Sequence, residues 1–371
     1  MPRIELPISK SIANRLLILQ AIHGDGLMTV SADLPEDVLI LHNALTTLRT
    51  FKTSKTLPTP HINVGNCGTA MRFLTAYCAQ LEGQTTILDG VERMHHRPIG
   101  QLVDALREIG AQIEYLGEEG FPPLRIKGCI LDKHRIVTIN NPQSTQFVSA
   151  LLLIGANVHT DSTSPYITLT REMIKQWGDA AEYTSPLIGG VGGGFIEKDW
   201  SSAAFWYEYV ALHGGEIKLP GLHKESLQGD KVVADIFAHL GVHTTYTAKG
   251  ITLSPITYSE ASNSPLSGRP IAAQTASRSK ILVQDFGNCP DLYPAVALTC
   301  ERLGIQLHAT GVESLLLKES NRLRAVAEHR TDADHRMAMA LLIAGYEVDD
   351  TACISKSYPC FLGHLRQLYE K

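Results

Sequence analysis

Nothing in this 371-residue chain marks it for a polyelectrolyte, a membrane or an oxidising compartment. Lys and Arg number 33 against 38 Asp and Glu, a net charge of −5, and aromatics make up 6% of the residues. There is no basic excess, and no interleaving of basic and aromatic residues, with which to hold a nucleic acid. No uninterrupted apolar run reaches the roughly 20 residues that cross a bilayer, and Met1-Pro2-Arg3-Ile4-Glu5-Leu6-Pro7 is not a basic-then-apolar leader. The seven cysteines (67, 78, 129, 289, 300, 353, 360) form no CxxC pair and are odd in number and scattered, the pattern of reduced core thiols in a cytoplasm. These absences predict a soluble, cytoplasmic protein without nucleic-acid or membrane partners. What is present is 44% hydrophobic content, enough for two cores, since single cores stop growing at about 250 to 300 residues.

The chain is organised around Gly65-Asn66-Cys67-Gly68-Thr69-Ala70-Met71-Arg72. A glycine-rich turn running into an apolar helix leaves backbone N–H groups without intrahelical partners, and such a start attracts anions. Thr69 is the expected cap. One such start is an ordinary capped core helix, but the construction recurs. Polar starts at Ser9-Lys10-Ser11, Gly68-Thr69, Ser144-Thr145-Gln146, Asp199-Trp200-Ser201-Ser202, Pro290-Asp291 and Asp334-His335-Arg336 each precede a helix-length run too apolar for a surface helix.

Between them lies a second unit, an amphipathic helix closed by glycine and followed by a strand pair. Leu102 to Gly110 leads into Ala111–Tyr115 and Leu124–Ile126, and Val232 to Gly241 leads into Val242–Tyr246 and Ile251–Leu253. Met173 to Gly178 is a third copy, with a weaker strand after it, and Ser254–Ser279 reads as an irregular insertion or edge loop. The pattern predicts a six-fold repeated α/β chain, three units to a domain, with several helix N-termini facing one cleft. The sixth unit is cropped: only eleven residues separate Arg322 from Asp334, too few for a helix and a strand pair.

Charged residues gather at those helix starts and loops: Lys10, Arg15, Arg72, Arg93, Arg97, Lys318, Arg322, Arg336 and Lys356, with Asp291, Glu319 and His335 among them. One such cation is usually a solvated surface charge. So many beside helix starts, in a chain of net negative charge, suit the phosphate and carboxylate groups of a small ligand. Asp291 and Glu319 within that field are candidates for general acid and base, and His335 can share the work.

These residues, Asp291 apart, lie in motifs that resemble, in order, those of the 5-enolpyruvylshikimate-3-phosphate synthase family: Lys10-Ser11-Ile12-Ala13-Asn14-Arg15, Gly65 to Arg72, Glu92-Arg93-Met94-His95-His96-Arg97-Pro98-Ile99, Ser144-Thr145-Gln146-Phe147, Leu227-Gln228-Gly229-Asp230, Lys318-Glu319-Ser320-Asn321-Arg322, Asp334 to Met339, and Ser355-Lys356-Ser357-Tyr358-Pro359. The resemblance spans nearly the whole chain. It implies a two-domain inside-out α/β barrel built from six βαβαββ repeats, three per domain. Residues 1–9 plus 199–371 would form a discontinuous domain carrying the phosphoenolpyruvate-side cations, and 10–198 the domain with most shikimate-phosphate contacts, the active site lying in the cleft between them.

The implied reaction moves the enolpyruvyl group of phosphoenolpyruvate to the 5-hydroxyl of shikimate 3-phosphate and releases phosphate, by addition and then elimination. By the same resemblance Lys10, Gly68, Arg97, Arg322, Arg336 and Lys356 hold phosphoenolpyruvate. Ser11, Arg15, Ser144, Thr145, Gln146, Tyr166, Asp291 and Lys318 hold shikimate 3-phosphate. Asp291 is the base on the 5-hydroxyl, Glu319 handles the proton at the methylene carbon, and Lys10 and His335 assist. No metal or organic cofactor is implied, and a monomer is expected.

Departures from the family pattern include Ile8, Phe73, Ser314 and Asn321, besides Thr145 and Thr163, which keep a hydroxyl in place of serine. The cropped segment after Arg322 is the largest, and it favours a competing reading, an impaired homologue that binds the same metabolites without turnover. A related transferase acting on UDP-N-acetylglucosamine carries a cysteine before its Arg-Pro pair. The loop Val91 to Pro98 has none, which disfavours that reading.

Overall fold

The computed structural model describes residues 1–24, 26–29, 31, 34–53, 59–178, 196–256 and 281–369. The chain divides into two compact units, one of Lys10–Ile196 and one of Met1–Ser9 with Glu197–Lys371.

The continuous unit contains, in order, α1 (Lys10–His23), α2 (Glu36–Thr53), β1 (His61–Asn63), α3 (Gly68–Ala79), β2 (Thr85–Asp89), α4 (Gly100–Glu108), β3 (Gln112–Tyr115), β4 (Leu124–Lys127), β5 (Ile136–Thr138), α5 (Thr145–Leu153), β6 (Asn157–His159) and α6 (Pro165–Gly178). Its larger sheet has the order β1-β2-β4-β3, with β1 parallel to β2 and the other pairs antiparallel, and β5 pairs in parallel with β6. The stretch His61–Lys127 therefore runs βαβαββ. Helices α1, α3 and α5 pack on one another. Every residue of α3 from Ala70 to Ala79 is buried, as a helix apolar on all sides requires.

The expected cap of α3 is corrected. Cys67, not Thr69, is the N-cap: its Sγ accepts from Ala70 N at 3.4 Å, while the Thr69 hydroxyl accepts from Gln146 Nε2 at 2.9 Å. Ser144, Asp199 and Asp334 cap their helices as their side-chain oxygens allow.

The discontinuous unit contains α7 (Trp200–His213), β7 (Ile217–Pro220), α8 (Val233–His239), β8 (Val242–Thr247), β9 (Gly250–Pro255), β10 (Ile281–Asp285), α9 (Tyr293–Leu303), β11 (Gln306–Thr310), α10 (Arg322–Glu328), α11 (His335–Ala344) and α12 (Phe361–Tyr369). The N-terminal residues belong here because their backbone is hydrogen-bonded here. Ile4 N donates to Lys218 O at 3.0 Å, Lys218 N to Pro2 O at 2.9 Å, Ser9 N to Glu197 O at 2.9 Å and Asp199 N to Pro7 O at 3.0 Å. The sheet β7-β9-β8 is antiparallel and β10 pairs in parallel with β11.

Helices α7, α9 and α11 pack together in a core that holds Trp200, Phe205, Trp206 and Phe361. Within α7, Glu208 is fully buried and neither carboxylate oxygen has a hydrogen-bond partner. Burial pushes its carboxyl well above the usual range.

Both complete helix-to-strand-pair units form where the sequence places them. α4 and α8 are each followed by a glycine at positive φ, Gly110 at 99° and Gly241 at 93°, and then by β3–β4 and β8–β9. The third differs. α10 ends at His329 and the chain passes through residues 330–333 directly to α11, with no strand between. Ser254 and Pro255, expected to open an irregular segment, instead close β9 in register with His243 and Val242; the rest of that reading beyond Ile256, and the strand expected after Gly178, lie outside the described residues. No helix among the described residues is long and apolar enough to cross a membrane.

Candidate active site

In the continuous unit the cations collect around the first turns of α1, α3 and α5. Arg15 is buried within α1 and spends its guanidinium on neutral oxygens: Nε donates to Thr170 Oγ1 at 2.7 Å, Nη1 to the Ser11 carbonyl at 2.7 Å, and Nη2 to Ser149 Oγ at 3.1 Å and the Tyr166 carbonyl at 3.2 Å. Burial lowers its pKa to about 10. Arg72 Nη1 donates to Gln146 Oε1 at 3.0 Å, and its buried Nε has no partner. Burial first, then the neighbouring charge of Arg97, pull Arg72 well below the usual arginine range, with Cys67 opposing. Arg97 Nη1 donates to the Asn66 carbonyl at 3.1 Å.

Gly68 leaves room for a close approach of two side chains, which a Cβ would force to move aside. A Cβ there would lie 2.3 Å from Arg72 Nη1 and 2.5 Å from Arg97 Nη2. Two guanidinium groups thus converge on the bare start of α3, where backbone N–H groups add partial positive charge. Ser144 Oγ accepts from Gln146 N at 3.3 Å at the start of α5, whose first residue is Thr145. Lys10 Nζ meets Asp37 Oδ2 at 2.9 Å, Asp37 lying in the first turn of α2.

The discontinuous unit arranges its charges differently. Asp291 lies just before α9 and is gripped by three cations: Arg322 Nη1 at 2.7 Å and Lys318 Nζ at 3.3 Å on Oδ1, and Arg336 Nη2 at 3.0 Å on Oδ2. Burial alone would raise its pKa, but Arg336, Lys318 and Arg322 outweigh it and hold the carboxyl well below the usual range. Arg322 turns its other edge to Asp334, Nε to Oδ2 at 2.8 Å. Although burial works against the charge, Asp334 and Asp291 raise its pKa. Burial lowers Lys318, with Asp291 opposing.

Glu319 sits between two proton-bearing groups, with Oε2 2.8 Å from His335 Nδ1 and Oε1 2.9 Å from Lys356 Nζ. Asp230, on a buried turn, accepts a short hydrogen bond from Ser201 Oγ. Burial first, and then Asp291, raise it to about 6. Glu319, Asp334 and His335 are the one group among the described residues whose donor atoms lie close enough to share a metal ion. Both carboxylates already face cations, Asp334 on Arg322 and Glu319 on Lys356.

A family model described as EPSP synthase (3-phosphoshikimate 1-carboxyvinyltransferase) matches residues 2–329 and 325–365. The chain belongs to the EPSP synthase family. A Bacteroides fragilis relative named 3-phosphoshikimate 1-carboxyvinyltransferase is 35% identical over 425 residues, covering 98% of this chain and 94% of its own length. One of the same name from Idiomarina loihiensis is 30% identical over 418 residues, covering 98% and 96%. A solved EPSP synthase from Acinetobacter baumannii superposes with a TM-score of 0.61 at 20% identity, covering 98% of this chain and 95% of that one, which establishes a shared mixed α/β fold.

The match to the EPSP synthase family breaks into two segments at 325–329, where α10 ends, and the alignment to the Bacteroides relative is longer than this chain. The chain is therefore shorter than its relatives, and the joint between α10 and α11 is where the family pattern is interrupted.

Of the residues proposed from sequence, Asp291, Lys318, Arg322 and Arg336 form one cluster in the discontinuous unit, and Glu319, His335 and Lys356 an adjoining one. In the continuous unit, Ser11 and Tyr166 meet Arg15 through their carbonyl groups. Sequence reasoning missed Asp37 and the clamping role of Asp334, and gave Asp230 only as the end of the motif Leu227-Gln228-Gly229-Asp230. Asp334 was legible only as a helix start, and nothing local ties Asp37 to Lys10, 27 residues away. Asn321, where aspartate is common in the family, caps α10 through Oδ1 to Arg324 N at 3.2 Å. Ser314 has a buried hydroxyl without a partner.

Proposed function

We propose that this chain transfers the enolpyruvyl group of phosphoenolpyruvate to the 5-hydroxyl of shikimate 3-phosphate and releases inorganic phosphate, the reaction named for its relatives. The observation that carries the proposal is Glu319 placed between His335 Nδ1 and Lys356 Nζ, beside a cluster of cations able to hold phosphate and carboxylate. Addition needs a proton delivered to the methylene carbon while the hydroxyl oxygen attacks the neighbouring carbon. Elimination takes a proton back from the resulting methyl group as the carbon–phosphate oxygen bond breaks. One group serves both halves if it exchanges protons with neighbours on either side, and Glu319 is assigned that role, with His335 and Lys10 assisting.

Asp291 is assigned to the 5-hydroxyl. Gripped by Arg322, Lys318 and Arg336 it is a weak proton acceptor. Anionic substrate that draws those cations onto its own oxygens raises the basicity of Asp291, so the base is armed by binding. Phosphoenolpyruvate is assigned to Lys10, Gly68, Arg97, Arg322, Arg336 and Lys356, and shikimate 3-phosphate to Ser11, Arg15, Ser144, Thr145, Gln146, Tyr166, Asp291 and Lys318.

This reading requires residues 10–198 and residues 1–9 with 199–371 to act as two domains on one pair of substrates, each built from three βαβαββ repeats with the sixth cropped. The protein is taken as a cytoplasmic monomer needing no cofactor.

The test is phosphate release with phosphoenolpyruvate, with and without shikimate 3-phosphate. Release that needs both and is lost in Glu319→Gln supports the assignment. Tight binding of shikimate 3-phosphate without turnover would replace it with the impaired-homologue reading, which the interrupted family match at 325–329 favours.

A further inference from the structure

The joint between α10 and α11 consists of residues that are costly to place. His329, Asp332 and Ala333 all have positive φ, at 50°, 47° and 56°, a conformation that L-residues with a Cβ hold only when their surroundings over-determine it. The surroundings do. The His329 ring stacks on Tyr346, with centroids 4.0 Å apart and planes inclined by 20°. Its Nε2 lies 2.9 and 3.1 Å from the two carboxylate oxygens of Glu301, and Tyr346 OH donates to Glu301 Oε1 at 2.5 Å.

Those three side chains come from different places: Glu301 from α9, His329 from the end of α10, and Tyr346 from just beyond α11. One turn on, the fully buried Thr331 donates a short hydrogen bond from Oγ1 to Asp349, and its carbonyl accepts from Asp334 N at 2.9 Å. Elsewhere the chain follows such a helix with a strand pair, β3–β4 after α4 and β8–β9 after α8. Here a clasp of side chains stands in that place, at the point where the family match is interrupted.

The clasp also fixes the site. Ala333 is followed by Asp334, which holds Arg322, and by His335, which holds Glu319. Backbone that slips in the joint moves both.

We propose that Glu301, His329, Tyr346 and Thr331 are positioning residues that take over the task of a missing strand pair, holding His335 in register with Glu319. The proposal rests on the reading of Glu319 and His335 as the proton carriers. A displacement of about 1 Å at reacting groups costs up to roughly a hundredfold in rate.

The deciding variant is His329→Gly, because glycine keeps the left-handed turn and removes only the ring. Turnover should fall about tenfold to a hundredfold, with KM for shikimate 3-phosphate within about twofold and the melting temperature little changed. Tyr346→Phe, which keeps the stack but drops the bond to Glu301, should fall between it and wild type. The His335 Nδ1 proton resonance, recorded without substrates, should shift in His329→Gly and shift less in Tyr346→Phe. Wild-type kcat together with an unmoved His335 resonance in His329→Gly would overturn the proposal. A wild type that shows no turnover defeats the functional reading instead, and the resonance comparison still decides whether the clasp positions His335.

Discussion

In residues 10–196 the buried arginines are met by neutral oxygens: Arg15 by hydroxyl and carbonyl groups, and Arg72 by the amide oxygen of Gln146. In residues 197–371 they are met by carboxylates, Arg322 by Asp334 and Asp291, and Arg336 by Asp291. The consequences are opposite. Arg15 falls to about 10 through burial, and Arg72 is held well below the usual arginine range by burial and then by the charge of Arg97. Arg322 and Arg336 rise, the carboxylates overcoming burial. A guanidinium that is uneasy in its charge gains most when an anionic ligand arrives. One that is already satisfied does not seek a ligand, but it can be lent to one, and lending it changes the carboxylate left behind.

The largest way to break that contrast is to strip a carboxylate from the second group. Asp334→Ala leaves Arg322 buried with half of its compensation gone, and should cost about 3–5 kcal/mol of stability, read by urea denaturation. Loss within the range of an exposed ion pair, under about 1 kcal/mol, would show that Arg322 relaxes toward solvent. Asp334 and Asp291 are both depressed by their cations. Their contributions are therefore present above the unfolded carboxylate range and disappear as pH falls through the folded values, so wild type but not the variant should lose the Asp334 share in acid.

A second test uses the exception, Glu208, a carboxyl with no cation. Its folded pKa is raised by burial, so its neutral form is favoured, and stability falls as pH climbs above the unfolded value of about 4.3, by about 1.4 kcal/mol per pH unit until the folded value is reached. Glu208→Gln removes that slope. The stability difference between variant and wild type should therefore grow from pH 5 to pH 7, and a constant difference would mean that Glu208 ionises normally.

Next in size, Gln146→Glu would give Arg72 the kind of partner that Arg322 has. It should stabilise the fold by about 1 kcal/mol and weaken binding of shikimate 3-phosphate about tenfold in calorimetry. Unchanged affinity would separate Arg72 from anion binding. The smallest expected effect is at the cap. Cys67→Ser exchanges a long sulfur contact for a better acceptor at the start of α3 and should add up to about 1 kcal/mol, without altering turnover.

What sequence could reveal here was local. The six buried helices follow from polar starts and apolar runs that can be seen within a dozen residues, and the strand pairs after α4 and α8 from a glycine stop and alternating residues. The shortness of the joint before Asp334 was equally plain. Its closure was not, because His329, Glu301 and Tyr346 are brought together by tertiary packing and three left-handed residues without glycine carry no signature. The Lys10–Asp37 and Arg322–Asp334 pairs were hidden for the same reason, and the cap was misassigned because a thiol is an uncommon choice.

The N-terminal residues hydrogen-bonded to Lys218, Glu197 and Asp199 have a consequence for how the chain is made. On the ribosome, Lys10–Ile196 emerges as one continuous piece and can complete its own contacts during synthesis. Pro2 to Ser9 must wait beside it, extended and unpaired, until the backbone they join appears some two hundred residues later, and closing so long a loop makes that docking the slow, late step. Until then, a short edge of exposed backbone is the nascent chain's point of exposure to mispairing.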